Sequence, residues 1–111
     1  MSNFCLENSR MTKKEISQLI EKEINGDWAI TNWHNCDLKK CLVRPKKRKL
    51  TLYPEKIKEV WIVLEENPET LEGYKVFFDE TTKKFGLAGD SEPFGYVCNF
   101  HDTFIAAFKS M

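Results

Sequence analysis

The most apolar run in the chain is Val60-Trp61-Ile62-Val63-Leu64, five consecutive residues with no polar side chain. Its β-branched and aromatic content suits a central strand buried on both faces. A fold built on such a strand must cover the sheet from above and below. Glu65-Glu66-Asn67-Pro68 ends the run. Downstream, strands are predicted over Gly73–Asp79, Phe85–Ala88 and Phe94–Phe100, joined by a polar turn at Asp79–Lys84 and a loop at Gly89–Pro93. On the last of these, Tyr96, Cys98 and Phe100 fall on one face. Upstream, alternation predicts strands over Trp28–Trp33, Leu38–Arg44 and Lys49–Tyr53, with Pro45 and Pro54 as stops. Strands in series with hairpin-length links make an antiparallel sheet. Phe77 and Phe78 are neighbours on one strand and must face opposite ways.

Two segments carry helical signals. Thr12-Lys13-Lys14-Glu15 is a capping box, in which the threonine hydroxyl and the glutamate carboxylate each satisfy a backbone amide of the other. Ile16, Leu19, Ile20 and Ile24 follow at helical spacing, and Asn25-Gly26 is a stop. Near the other end, Asp102 or Thr103 can cap a short helix whose apolar face is Phe104, Ile105, Ala107, Phe108 and Met111. The expected fold class is α+β: an antiparallel sheet of about five to six strands, flanked by an N-terminal helix (12–25) and a short C-terminal helix (about 102–111). Residues 1–111 read as one domain, with 1–11 as a loose leader. A chain of this size buries roughly two-thirds of its unfolded surface, enough for one core.

The charge balance narrows the partners. Lys plus Arg and Asp plus Glu both number 17, whereas nucleic-acid binders normally carry a basic excess. No stretch approaches the ~20 apolar residues that span a bilayer, and no export signal is recognisable. The expectation is a cytoplasmic protein with its four cysteines as free thiols.

Several groups of residues invite a chemical reading. His34, Cys36 and Cys41 lie in one region, and Cys98 and His101 in another. Together they offer the donor types of a zinc site, or the Cys–His pair of a small thiol enzyme. Their spacings match neither a zinc motif nor a nucleophile signature, so the competing reading is of Cys41 and Cys98 as small buried residues. No metal, cofactor or catalytic residue is therefore expected. The acidic pairs Glu65-Glu66, Glu69 with Glu72, and Asp79-Glu80 sit at strand ends and turns and read as solvated charge. Arg44-Pro45-Lys46-Lys47-Arg48-Lys49 is the sharpest charge feature. It reads as an exposed hairpin loop, with nucleic-acid binding as its sharper alternative. A basic segment set against the acidic stretch 65–80 also suits steered association with a protein.

One resemblance covers most of residues 16–111. It is carried by Gly26-Asp27-Trp28, by Trp33-His34 with Asp37-Leu38-Lys39-Lys40-Cys41-Leu42-Val43-x-Pro45, and by Trp61-Ile62-Val63-Leu64-Glu65-Glu66-x-Pro68. Gly73-Tyr74-Lys75-Val76-x-x-Asp79-Glu80, Phe85-Gly86-Leu87-Ala88 and the ending Thr103-Phe104 to Met111 belong to it too. The chain resembles single-domain bacterial immunity proteins associated with polymorphic or contact-dependent toxins. The resemblance implies a non-enzymatic protein that neutralises a cognate toxin by forming a complex. On that reading the candidate contact residues are Trp33, His34, Asp37, Lys46, Lys47, Arg48, Glu65, Glu66 and Glu69. They comprise an exposed aromatic, the basic segment and the acidic loops.

Overall fold

The computed structural model describes residues 11–52, 56–89 and 95–111, which form an α+β fold. Helix α1 (Lys13–Ile24) begins at Thr12 with both halves of the capping box in place: Thr12 Oγ1 accepts from the Glu15 amide at 3.1 Å, and Glu15 Oε1 accepts from the Thr12 amide at 2.8 Å. It ends at Asn25, which takes the left-handed conformation that stops a helix. Ile16, Ile20 and Ile24 are buried, while Leu19 lies at the margin of the stripe and is partly exposed.

Residues 25–37 form a loop, not the strand predicted over Trp28–Trp33. The segment after it also differs from expectation. Asp37 caps a single helical turn, α2 (Leu38–Cys41), accepting from the Lys39 amide at 2.9 Å, and Leu38 and Cys41 point into the core. The chain then runs straight into a long strand, β1 (Leu42–Leu52). The basic segment 44–49 is therefore strand and not hairpin loop, and the predicted strands Leu38–Arg44 and Lys49–Tyr53 merge, as far as Leu52, into one element. Strands β2 (Lys56–Glu65), β3 (Lys75–Asp79), β4 (Lys84–Gly89) and β5 (Gly95–His101) follow, then helix α3 (Phe104–Lys109) capped by Thr103. Residues 1–10 of the N-terminal leader and the shared face proposed for Tyr96 and Cys98 lie outside the described residues and side chains, while Met11 packs against the helix-side core.

Each strand pairs antiparallel with its successor. The sheet curls enough that β5 also meets β1, in parallel, through Leu50↔Gly95 and Thr51↔Tyr96. Register sorts the side chains into rows. Lys47, Trp61, Phe78, Phe85 and His101 form one row, and Lys46, Ile62, Phe77, Gly86 and Phe100 form the next. Successive rows face opposite sides. Trp61, Phe78 and Phe85 join Ile16, Ile20, Ile24, Phe104 and Phe108 beneath the two longer helices. Ile62 and Phe77 pack with Leu50, Val60 and Ala88 in a smaller cluster on the other face. Phe77 and Phe78 thus face opposite ways and are both fully buried.

Glu23 fastens the helices together. Its carboxylate, on α1, accepts from the Phe104 and Ile105 amides at 3.0 and 3.1 Å, so α1 satisfies the first amides of α3.

Asp79 closes the β3–β4 hairpin. One carboxylate oxygen accepts from Lys58 Nζ at 2.7 Å and Thr82 Oγ1 at 3.1 Å, the other from the Thr81 amide at 3.0 Å. The residue is buried, which corrects its reading as solvated turn charge. Burial opposes ionisation, but the Lys58 ammonium and the turn donors outweigh it and hold the carboxyl below its usual range. A depressed carboxyl stabilises the fold above its unfolded-state value, and that contribution disappears as pH falls through the folded-state value. Asp79→Asn is accordingly expected to cost about 2–3 kcal/mol at neutral pH, the scale of hydrogen bonds to a charged group. Urea unfolding of the two proteins should converge as the pH is taken down through the folded-state value of this carboxyl; a difference that persists once it is protonated would place the stabilisation elsewhere.

Candidate functional site

The loop 25–37 is built around one side chain, Asn32. Its amide nitrogen donates to Phe108 O at 3.0 Å and to Met111 Sδ at 3.4 Å, tying the loop to α3. Its oxygen accepts from the amides of His34 at 3.0 Å and Cys36 at 3.2 Å. The Asn35 amide returns to Asn32 O at 2.9 Å, with Asn35 itself left-handed. Thr31 Oγ1 donates to Cys36 O at 3.1 Å, and Asp27 accepts from the Ala29 amide at 3.3 Å. Asn and Asp suit such turns because their short side chains mimic a backbone group. The loop is therefore held internally, and Trp33 at its tip is 90% exposed.

Beside the tip runs a groove of about 840 Å³. His34, Asp37, Glu66 and Glu69 line it, together with Cys36, Lys40 and Cys41. His34 Nδ1 lies 2.7 Å from Glu66 Oε2, and the His34 ring meets Tyr74 edge-on at 5.5 Å. A carboxylate can only accept, so Nδ1 carries the hydrogen and donates. The other oxygen, Oε1, accepts from the Tyr74 amide at 3.0 Å. Partial burial raises the Glu66 carboxyl, but the Tyr74 amide and His34 outweigh it and hold the group below its usual range. Gly73 makes this placement possible: a Cβ there would stand 2.5 Å from Glu66 Oε1, and its φ of +92° favours glycine.

The two thiols in the groove are buried. Burial, and then the neighbouring Cys36, push the Cys41 thiol above its ordinary value, and Cys41 Sγ lies 3.6 Å from Glu66 O. His101 is not part of this group. Register puts it opposite Phe85 beside the β3–β4 turn, with its Nε2 on Asn99 Oδ1 at 2.9 Å, whereas Glu66 lies past the other end of β3. Among the described residues no set of three or more His, Cys, Asp or Glu side chains is arranged to hold a metal ion. The Cys98 side chain falls outside them.

The nine predicted contact residues separate into three groups. Trp33, His34, Asp37, Glu66 and Glu69 gather at the loop tip and its groove. Lys46, Lys47 and Arg48 lie apart on β1. Glu65, expected as a solvated strand-end carboxylate, is fully buried and ion-paired with Lys75 at 3.1 Å and with Lys46 at 3.5 Å. A β-bulge decides which face Glu65 takes. Register shifts between Ile62 and Leu64, so Val63 and Leu64 both join the helix-side core and Glu65 turns to the opposite face. Asn32 was absent from the sequence prediction, although the density of Asp27, Asn32, Asn35 and Asp37 between two apolar segments is a loop signal.

No described helix is long and apolar enough to cross a membrane. In comparisons with known proteins, no family model, no curated protein and no solved structure matches the chain.

Proposed function

We propose that the protein is a binding module of the immunity type, neutralising a cognate toxin by complex formation in the cytoplasm, with Trp33 at the centre of the contact. The observation that carries this reading is the exposure of Trp33 on a loop already fixed by Asn32. Tryptophan is among the residues most enriched at interface hot spots. A loop ordered before binding loses little entropy on association. His34, Asp37, Glu66 and Glu69 beside it supply the polar rim that sets orientation and steers encounter. A thiol enzyme has less in its favour, because the reactive species is the thiolate and Cys41 is pushed towards the protonated form.

The test is a titration of the purified chain with the product of a toxin gene adjacent to its own, beside a growth-rescue assay. Trp33→Ala is expected to weaken the complex by at least about 2 kcal/mol, roughly 30-fold. The same change should move unfolding stability by less than about 0.5 kcal/mol, since the side chain is exposed. Equal affinity of the variant, or no complex with such a product, would sink the reading.

A further inference from the structure

The two thiols of the groove hold positions that bring their side chains together. Asp37 caps α2, so Cys36 precedes the cap and Cys41 is the fourth residue after it. Apolar side chains at those two positions pack against each other at the start of a helix and fix the angle at which the chain enters. Here both are cysteines, which fill such a contact as small apolar groups and add a reactive sulfur each. Both belong to the helix-side core, both line the groove, and they are 6% and 5% exposed. A hydrogen bond links the two thiols, and Cys41 Sγ also lies 3.6 Å from Glu66 O. Cys36 is tied into the loop that carries Trp33. Its amide donates to Asn32 Oδ1 at 3.2 Å, and its carbonyl accepts from Thr31 Oγ1 at 3.1 Å.

We propose that Cys36 and Cys41 are a two-thiol oxidation site, with hydrogen peroxide as the oxidant and an intramolecular disulfide as the product. The Cys36 sulfur attacks one peroxide oxygen, the O–O bond breaks, and the departing oxygen takes the thiol proton and leaves as water. The Cys41 sulfur then attacks the sulfenic acid at Cys36. The S–O bond breaks, the S–S bond forms, and the hydroxyl leaves with the Cys41 proton as a second water. The thiols together lose two electrons, and the peroxide is reduced to water. Burial holds Cys41 in the protonated form, so the first attack falls to Cys36. The near-complete burial of both sulfurs favours a small oxidant over a bulky disulfide. Bond formation draws the sulfurs from contact to about 2.05 Å. Cys36 is held by Asn32 and Thr31, so closure pulls on the loop that carries Trp33. The site needs no partner protein and stands apart from the toxin-binding reading.

The test treats the full chain with hydrogen peroxide, alkylates the remaining thiols and maps cross-links by peptide mass spectrometry. A Cys36–Cys41 disulfide that dithiothreitol reverses is expected in the parent and in C5S/C98S, and is lost in C36S and C41S. C5S/C98S leaves the pair intact, so the result is read even if C36S or C41S fails to fold. The Trp33 indole N–H signal, assigned through W33A, should move on oxidation of C5S/C98S in a nitrogen–proton NMR spectrum. Two thiols of C5S/C98S that stay open to alkylation after peroxide treatment would overturn the site. So would sulfinic acid at Cys36 beside a free Cys41. A disulfide that leaves the Trp33 signal unmoved would overturn its coupling to the loop.

Discussion

Replacing Lys75 by methionine is expected to lower the unfolding free energy by about 3–5 kcal/mol at pH 7, the cost of removing one partner of a buried ion pair. Lys75 and Glu65 both have no solvent exposure, and their charged atoms stand 3.1 Å apart. Lys75 Nζ also donates to Leu71 O at 2.7 Å, holding a non-glycine residue at φ +66° in the β2–β3 loop. Without the ammonium, Glu65 retains only Lys46, which is 3.5 Å away and half exposed. A second substitution separates loss of the charge pairing from simple loss of packing, because the deficit then follows the unpaired buried carboxylate. Adding Glu65→Leu should recover much of it at pH 7, because an apolar pair of similar volume needs no desolvation. A deficit that the second substitution leaves unchanged would show that the charge is not what matters.

The second large effect is expected at Gly86, where alanine should cost about 3 kcal/mol, the upper end of overpacking penalties. A Cβ there would lie 2.3 Å from Phe77 Cζ and 2.8 Å from the Asn99 carbonyl. Gly86 is the register partner of both Phe77 and Phe100, and those two rings meet edge-to-face across it at 5.5 Å. The missing side chain is what lets Phe77 lie flat over the strand. Shortening that ring by Phe77→Leu in the Gly86→Ala background should restore more than half the loss, so the two changes together cost less than their sum. Additive losses in chemical denaturation would mean that the Asn99 carbonyl, and not Phe77, sets the limit.

How much was legible in the sequence depended on whether the signal was local. The capping box at Thr12, the stop at Asn25 and the β3–β4 turn involve groups within a few residues of one another, and they formed as expected. The opposed burial of Phe77 and Phe78 followed from the two-residue period of a strand. Residues 28–33 misled because Trp28 and Ile30 alternate with smaller residues as a strand would. The long-range bonds from Asn32 to Phe108 and Met111 decide the matter, and they are invisible in a local window. Glu65 misled for a related reason. Its face is set by a one-residue bulge at Val63, and nothing in the spacing of an all-apolar run marks where a bulge will fall. Of the candidate site, the sequence named the side chains at the groove but not the asparagine that assembles them.

The parallel seam between β1 and β5 bears on how the chain reaches its native state. The other strand pairings join neighbours in sequence, so most of the sheet can zip up from nearby contacts at low loop-closure cost. Leu50 and Thr51 must instead find Gly95 and Tyr96 across a large part of the chain. Low contact order in the meander favours early formation of the hairpins, and the β1–β5 seam closes only at a higher loop-closure cost.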